Sequence, residues 1–347
     1  MEDKDYMQLA INLAKKGGRN AAPNPMVGSV IVYEDKIIGQ GYHQKCGEAH
    51  AEVNAVNSVE DKSLLPHATI YVSLEPCAHY GKTPPCADLI VKSKFKRCVI
   101  ACTDPFSEVS GKGIQRIKDA GIETTVGVLE NEALELNKRF FTYHQKQRPY
   151  VILKWAQSKD GFMDIDRSEN QKGVYWITQP ETKKVVHQWR AEEQAILVGW
   201  KTIANDNASL TVREVQGENP VRFIIDPQLS IPKTAQIFLD GVPTIIYTQK
   251  ENTNLPSHIA LKQLDNISVE AILKDLYERK MLSVFIEGGA YTLQAFIASR
   301  LWDEARILTG DTSLIKGQPA PRIKGKTVSK THLGKDEIHI LYKEENR

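Results

Sequence analysis

The sequence predicts an α/β protein of two domains, and three observations carry that prediction. Its 347 residues exceed what one core usually organises, since domains run to ~150 residues. After an opening hairpin, short apolar β-forming runs alternate with stretches of helical period, the pattern of a sheet covered by helices on both faces. A polar stretch at 145–149, ending in Pro149, separates two such patterns and places the domains at 1–146 and 147–347.

Each element has its own reason. Tyr6, Leu9, Ala10, Leu13 and Ala14 recur at helical spacing, and Gly17-Gly18 supplies the stop. Residues 27–33 and 36–41 read as a hairpin with Glu34-Asp35 at its turn. A short helix is expected over 49–58 and a β-rich strand over 69–73, while 75–85 holds too much proline and glycine for regular structure. A strand at 98–102, a helix at 113–120, a strand at 123–126 and a helix at 130–144 follow. In the second half, strands are expected at 150–155, 194–199, 221–226, 243–248, 283–287 and 337–342, the last closing the sheet. Helices are expected at 180–190, where Pro180 suits the first turn, and at 269–279 and 290–300.

Composition narrows the function classes. Apolar residues at 41% and charged residues at 25% are globular proportions, not those of a disordered chain. A formal net charge of +2, from 45 basic and 43 acidic side chains, demotes phosphate-backbone binding. No run approaches the ~18 apolar residues of a membrane helix, and Met1-Glu2-Asp3-Lys4-Asp5 is the opposite of a signal peptide. Five cysteines, an odd set in a chain too long to need staples, suit a reducing compartment. The expectation is a cytoplasmic protein with no membrane partner.

The strongest chemistry lies between His50 and Cys86. His50-Ala51-Glu52 sits at a helix start, Glu75-Pro76-Cys77 follows a strand, and Cys86 comes behind Pro84-Pro85. One imidazole and two thiolates suit Zn²⁺, and three protein ligands leave a fourth position for water. Each thiolate is expected near a helix N-terminus, where the dipole favours the deprotonated form. Glu52, two positions from His50, can reach the site without ligating and serve as general acid/base; His-x-Glu with Pro-Cys is a zinc deaminase signature. Read singly, His50 is an ordinary helix histidine and each cysteine a small buried hydrophobe. A structural zinc site would need a fourth ligand, for which His43, Cys46 and His79 are the candidates.

The run from Tyr71-Val72-Ser73-Leu74 through Glu75-Pro76-Cys77-Ala78-His79-Tyr80-Gly81-Lys82-Thr83-Pro84-Pro85-Cys86 closely resembles the bifunctional riboflavin biosynthesis deaminase/reductase family. Eight residues separate the two cysteines, as in that family, where nucleoside and nucleic-acid deaminases usually have two. The resemblance extends through Pro23-Asn24-Pro25-Met26-Val27-Gly28 and across essentially the whole chain. It implies a cytidine-deaminase-like, three-layer N-terminal domain that hydrolyses a ring amine on a diaminopyrimidine carrying a ribosylamino 5-phosphate. Asn24 would hold the pyrimidine, and His43, His79 and Lys82 would approach the ring or phosphate. Lys82, a cation in a Gly/Pro loop beside a metal site, also suits an anionic substrate on chemical grounds, although a solvated loop lysine is the ordinary alternative. Asp104 would complete this set. Phe106 stands where the family has asparagine and cannot give its polar contact.

From its residues alone the second half reads as an α/β ligand-binding domain. Val284-Phe285-Ile286-Glu287-Gly288-Gly289 leads into a helix, and paired glycines there let backbone amides approach a phosphate. A plain tight turn reads equally well, and the full Gly-x-Gly-x-x-Gly fingerprint is absent. The family resemblance, carried by Lys154, Trp176-Ile177-Thr178, Trp189-Arg190, Gly199-Trp200-Lys201-Thr202 and the run from Asn205 to Arg213, implies a dihydrofolate-reductase-like fold using NADPH. It assigns substrate contacts to Arg190, Leu210, Arg213 and Glu287. It assigns cofactor contacts to Lys154, Trp176, Thr202, Asp206 and the turn Gly289, Ala290, Tyr291, Thr292, Leu293, Gln294 and Ala295. Arginine suits ribose phosphate because its planar fork binds bidentately. Lys159, Ala208 and Val174 depart from the family's leucine, proline and serine.

The reading is therefore zinc-dependent deamination of a small phosphorylated pyrimidine, then NADPH-dependent reduction of its ribosyl chain to ribityl. A homo-oligomer is allowed. One rival keeps the deaminase but makes the C-terminal domain a non-catalytic nucleotide binder, with Lys159 and Val174 in its favour. The other is a nucleic-acid-editing deaminase, which the net charge and the wide cysteine spacing oppose.

Overall fold

The computed structural model describes residues 1–80, 84–105, 110–167, 171–251 and 254–344. The chain forms two compact units, Met1–Gln147 and Arg148–Arg347.

In the first unit, five strands form one sheet: β1 (Gly28–Tyr33), β2 (Lys36–Tyr42), β3 (Thr69–Val72), β4 (Arg97–Ile100) and β5 (Glu123–Val126), in the order β2-β1-β3-β4-β5. The hairpin β1–β2 is antiparallel, as is β1–β3, whereas β3–β4 and β4–β5 are parallel. Alternating side chains fill two cores. Ile31, Ile70, Val72, Cys98 and Ile100 pack under α2 (Ala51–Ser58), α3 (Cys86–Lys92) and α4 (Lys112–Asp119). Val30, Val32, Tyr71, Val99 and Ala101 pack under α1 (Asp3–Lys15), α5 (Glu130–Leu136) and α6 (Lys138–Lys146). The period of two along each strand thus makes a three-layer α/β/α unit. Strands of four residues are too short to stand by propensity, and burial on both faces holds them.

The second unit holds a nine-stranded sheet. Its strands are β6 (Tyr150–Gln157), β8 (Ala195–Gly199), β9 (Val221–Ile225), β10 (Thr244–Thr248), β11 (Ile259–Gln263), β12 (Ser283–Ile286), β13 (Glu304–Thr309), β15 (Lys326–Leu333) and β16 (Asp336–Tyr342). The order is β11-β10-β9-β8-β12-β6-β13-β16-β15, parallel from β11 to β13 and antiparallel beyond. β7 (Phe162–Ile165) and β14 (Gly317–Pro319) pair separately. On one face α9 (Val269–Glu278) and α10 (Ala290–Ala298) cover Val151, Leu153, Leu197 and Phe223. On the other, α7 (Pro180–Glu192) and α8 (Trp200–Asp206) cover Ile152, Ile196, Val198 and Phe285.

The structure adds the short elements α3, β7, α8, β11 and β14, which the sequence pattern did not reveal, and departs from expectation elsewhere too. The helix expected over 130–144 is two helices that break at Asn137. β16 does not close the sheet, because the exposed polar strand β15 lies outside it. The strand β13 was not foreseen, since Glu304 and Arg306 interrupt its apolar run; both are buried and paired to each other at 2.6 Å.

Candidate active sites

In the first unit, short connections at β2, β3 and α3 bring four chemically active side chains together. His50 precedes α2, Glu52 lies in that helix's first turn, and Cys86 opens α3. Cys77 sits on the loop after β3. His50 Nδ1 lies 3.3 Å from Cys86 Sγ and 3.7 Å from Cys77 Sγ, and the three donor atoms lie within 4.8 Å of one another. Zn–S near 2.3 Å and Zn–N near 2.0–2.1 Å at tetrahedral angles would put N and S about 3.6 Å apart, so the triangle fits zinc. No fourth His, Cys or carboxylate joins it among the described residues. Cys46 and His79 are exposed. Both ring nitrogens of His43 are already engaged, Nδ1 with the Ala49 carbonyl and Nε2 with Asn24 Nδ2, each at 3.1 Å.

The electrostatics match the donor set. Cys77 Sγ receives a proton-sharing contact from Cys86, the backbone N–H of Cys86 at 3.3 Å and the His50 ring, which together hold its thiol down to about 4. That N–H opens α3, so both sulfurs lie at one helix N-terminus, although Cys77 begins no helix of its own. Cys86, buried beside Cys77 and Glu52, is pushed up as the partner that keeps the proton. Burial raises the Glu52 carboxyl to about 7, with Cys77 adding to the effect against the pull of His50. A carboxyl poised there can take and return a proton near neutral pH.

Asn24 is held from behind. The Ala49 carbonyl can only accept, which assigns the proton to His43 Nδ1 and makes Nε2 the acceptor for the Asn24 amide. Burial lowers the His43 pKa and favours this neutral form. His43, expected to approach the ring or phosphate, here spends Nε2 on the Asn24 amide. His79 is exposed on the same loop as Cys77, and Asp104 is half-buried beyond β4. Lys82 and Phe106 lie outside the described residues.

Two further residues position this site, neither of them assigned a role from the sequence. Glu75 is buried, and its carboxylate accepts the N–H groups of Asp104, Gly111, Gly113 and Ile114 at 2.9–3.3 Å. It fastens the start of α4 and the Asp104 backbone to the loop that carries Cys77. Asn137, also buried, clamps the Met26 backbone through both N–H and C=O at 2.9 Å. An acidic residue placed immediately before Pro76-Cys77 was the one available hint of Glu75.

In the second unit Lys154 of β6 and Arg190 of α7 meet at Glu287, just beyond the carboxyl end of β12, the end at which parallel sheets bind ligands. Glu287 accepts from Lys154 Nζ at 2.8 Å and from Arg190 Nε and Nη2 at 2.8 and 3.0 Å. Burial opposes its charge, but Arg190 and Lys154 outweigh it and hold the carboxyl at about 2. Arg190 thus spends its fork on Glu287. Arg213 is exposed, and its guanidinium contacts only Thr211 Oγ1 at 2.9 Å among the described residues. Leu210 packs its side chain in the core, so only its backbone faces a ligand.

Two helix N-termini meet at the neighbouring strand ends. Gly199 caps α8 and Gly289 caps α10, with β8 and β12 paired. A Cβ on Gly199 would come within 2.9 Å of Thr292 Oγ1, while one on Gly289 would meet only Thr202 Oγ1 at 3.9 Å. The result is an open cradle lined by Thr202, Thr292 and the first amides of α10, suited to the phosphates of a dinucleotide. Leu293 is different: its N–H is spent on the Gly289 carbonyl and its side chain is fully buried, so the contact expected of it is a packing role. Tyr291 and Gln294 are exposed and Ala295 half-buried. Trp176 is exposed with Lys183 Nζ 3.5 Å above its ring, and Asp206 pairs with Arg167 at 3.2 Å.

An α/β/α unit with a His-Cys-Cys triangle and a buried glutamate defines a zinc-dependent deaminase, here followed by a unit with a largely parallel sheet and an open cleft at the α10 N-terminus. Comparison with known proteins supplies the particular family. Residues 1–102 match the cytidine and deoxycytidylate deaminase zinc-binding region, and residues 149–338 match the RibD C-terminal domain. Riboflavin biosynthesis protein RibD of Aquifex aeolicus is 42% identical over 96% of this chain and 90% of its own length. That of Escherichia coli is 32% identical over 98% of this chain and 100% of its own. Acinetobacter baumannii RibD superposes with a TM-score of 0.89 at 34% identity over 99% of both chains. The diaminohydroxyphosphoribosylaminopyrimidine deaminase/5-amino-6-(5-phosphoribosylamino)uracil reductase of Thermotoga maritima does so with a TM-score of 0.89 at 36% identity over 98% of both.

The chain belongs to the RibD family of riboflavin biosynthesis proteins, which pair a deaminase with a reductase. Its fold class is the deaminase-like plus dihydrofolate-reductase-like pair that the resemblance implied, and its cofactors are zinc and NADPH. No helix among the described residues is long and apolar enough to cross a membrane.

Proposed function

We propose that Met1–Gln147 deaminates 2,5-diamino-6-ribosylamino-4(3H)-pyrimidinone 5′-phosphate and that Arg148–Arg347 reduces the ribosyl chain of the product to ribityl. The observation that carries this reading is the His50–Cys77–Cys86 triangle with Glu52 buried against it. Held by those three ligands, zinc supplies the Lewis acidity that makes water nucleophilic near neutral pH. Glu52 takes a proton from the attacking water and returns it to the departing amine, so that water is consumed and ammonia leaves. Asn24, its amide turned by His43, orients the ring; His79, Lys82 and Asp104 bind around it.

In the second unit NADPH supplies the hydride. The α10 N-terminus beside Thr202 would hold its phosphates, with Trp176 and Asp206 as its further contacts. Glu287 and Arg190, with the cofactor-contacting Lys154 paired to Glu287, orient the ring-opened ribosyl imine, and the Arg213 guanidinium, exposed beyond its bond to Thr211 Oγ1, takes the substrate phosphate. Hydride at C1′ and a proton at the adjacent nitrogen give the ribityl amine. The direct test is mass spectrometry of products from the purified chain with the diaminopyrimidine ribosyl phosphate. The deaminated uracil without NADPH, and the ribityl compound only with it, is the expected result. Deamination that NADPH does not carry further would remove the reductase assignment.

A further inference from the structure

The segment from Ser209 to Arg213 belongs to no strand or helix, yet it carries Leu210 in the left-handed region at φ 57° and the phosphate-reading Arg213. Side chains, not a ladder, hold its backbone. Arg222 Nη1 donates to the Ser209 carbonyl at 3.0 Å, and Arg190 Nη1 to the Thr211 carbonyl at 3.2 Å. The Val212 N–H donates to Asn219 Oδ1 at 2.8 Å, and the Arg213 N–H to His187 Nδ1 at 3.0 Å. Arg222 is itself immobile, fully buried and forked onto Asp240 at 2.6 and 2.7 Å.

Of these holds, the one on Arg213 itself comes from His187. This histidine is buried in α7, one turn before Arg190 on the same face. Burial, reinforced by Arg190 and Arg213, lowers its pKa to about 4, so Nδ1 remains an unprotonated acceptor near neutral pH. The Arg213 side chain has no carboxylate partner among the described residues, and the bond from His187 is the one that fastens its own backbone N–H. Fixing its Cα removes part of the ordering cost that substrate binding must meet.

We propose that His187 is a positioning residue of the reductase, setting through the Arg213 N–H where that guanidinium meets the phosphate of the pyrimidine substrate. The inference rests on Arg213 as the phosphate ligand. The test is steady-state reduction of the deaminated substrate by the full chain carrying His187→Phe, His187→Asn, Arg213→Ala, or His187→Phe with Arg213→Ala. His187→Phe keeps ring volume but removes the acceptor, and should raise KM for the phosphorylated substrate about tenfold. Its kcat and its KM for NADPH should stay within about twofold, and His187→Asn, which restores an acceptor near Nδ1, should recover most of the loss. In the Arg213→Ala background His187→Phe should add nothing. Should His187→Phe not fold, His187→Leu carries the same comparison.

An unchanged KM in His187→Phe alongside a raised KM in Arg213→Ala overturns this inference alone. Additive effects in the double variant, or an equal rise in KM for NADPH, also overturn it, because they mark general damage to the fold. An unchanged KM in Arg213→Ala overturns the phosphate reading and this inference with it.

Discussion

Glu52 and Glu75 are both buried and do opposite work with the same carboxyl chemistry. Glu52 faces two sulfurs and is raised to about 7, which suits proton transfer. Replacing it with Gln should leave zinc stoichiometry intact by metal analysis while ammonia release falls by about 10²-fold or more; retained turnover would remove it from that role. Glu75 instead faces four backbone N–H groups. A Gln there keeps one acceptor and turns an amide donor towards donors. Glu75→Gln should lower the stability of the first unit by about 2–3 kcal/mol in denaturant melts and leave NADPH oxidation unaffected. The zinc set was legible because metal chemistry uses scarce residue types in a constrained pattern. Glu75, Asn137 and His187 were not, because their partners are backbone atoms, and Asn137 reaches one 111 positions away.

The elements that sequence period reveals are those whose burial follows a simple pattern. The helix α1 and the strands β1, β6 and β8 are of that kind. β13 is not, since the Glu304–Arg306 pair is buried in it. β15 is also hidden, as a sheet-edge strand exposed along most of its length. The helix break at Asn137 follows from a tertiary demand, the clamp on Met26, which no local propensity encodes. The helix α10 allows a direct test. Its capping Gly289 has backbone angles any residue adopts, and an added Cβ would meet no protein atom closer than 3.9 Å. Gly289→Ala should therefore keep the melting temperature within about 2 °C while raising KM for NADPH at least about tenfold, because the methyl enters the cradle. An unchanged KM would move the cofactor phosphates elsewhere.

Across the whole molecule, two chemistries draw on separate groups, and they should separate under chelation. A strong zinc chelator should abolish ammonia release while NADPH oxidation with the deaminated substrate persists; parallel loss of both would assign zinc a part in the second unit. Acid should act on Glu287. Its folded pKa of about 2 lies below the ordinary 4.5, so its stabilising effect is complete above about pH 4.5 and is lost as pH falls towards 2. Denaturant midpoints of the second unit should fall through that window, and Glu287→Gln should flatten the fall. The order of residues along the chain determined the α/β class, the two-part organisation and the His50–Cys77–Cys86 cluster, because side-chain period and donor chemistry are local properties. Which nitrogen of His43 faces Asn24, that Arg190 spends its fork on Glu287, and that His187 holds Arg213 were decided by folding. Each depends on a hydrogen bond whose partner arrives from a distant part of the chain, and a bond of that kind leaves no periodic trace in sequence.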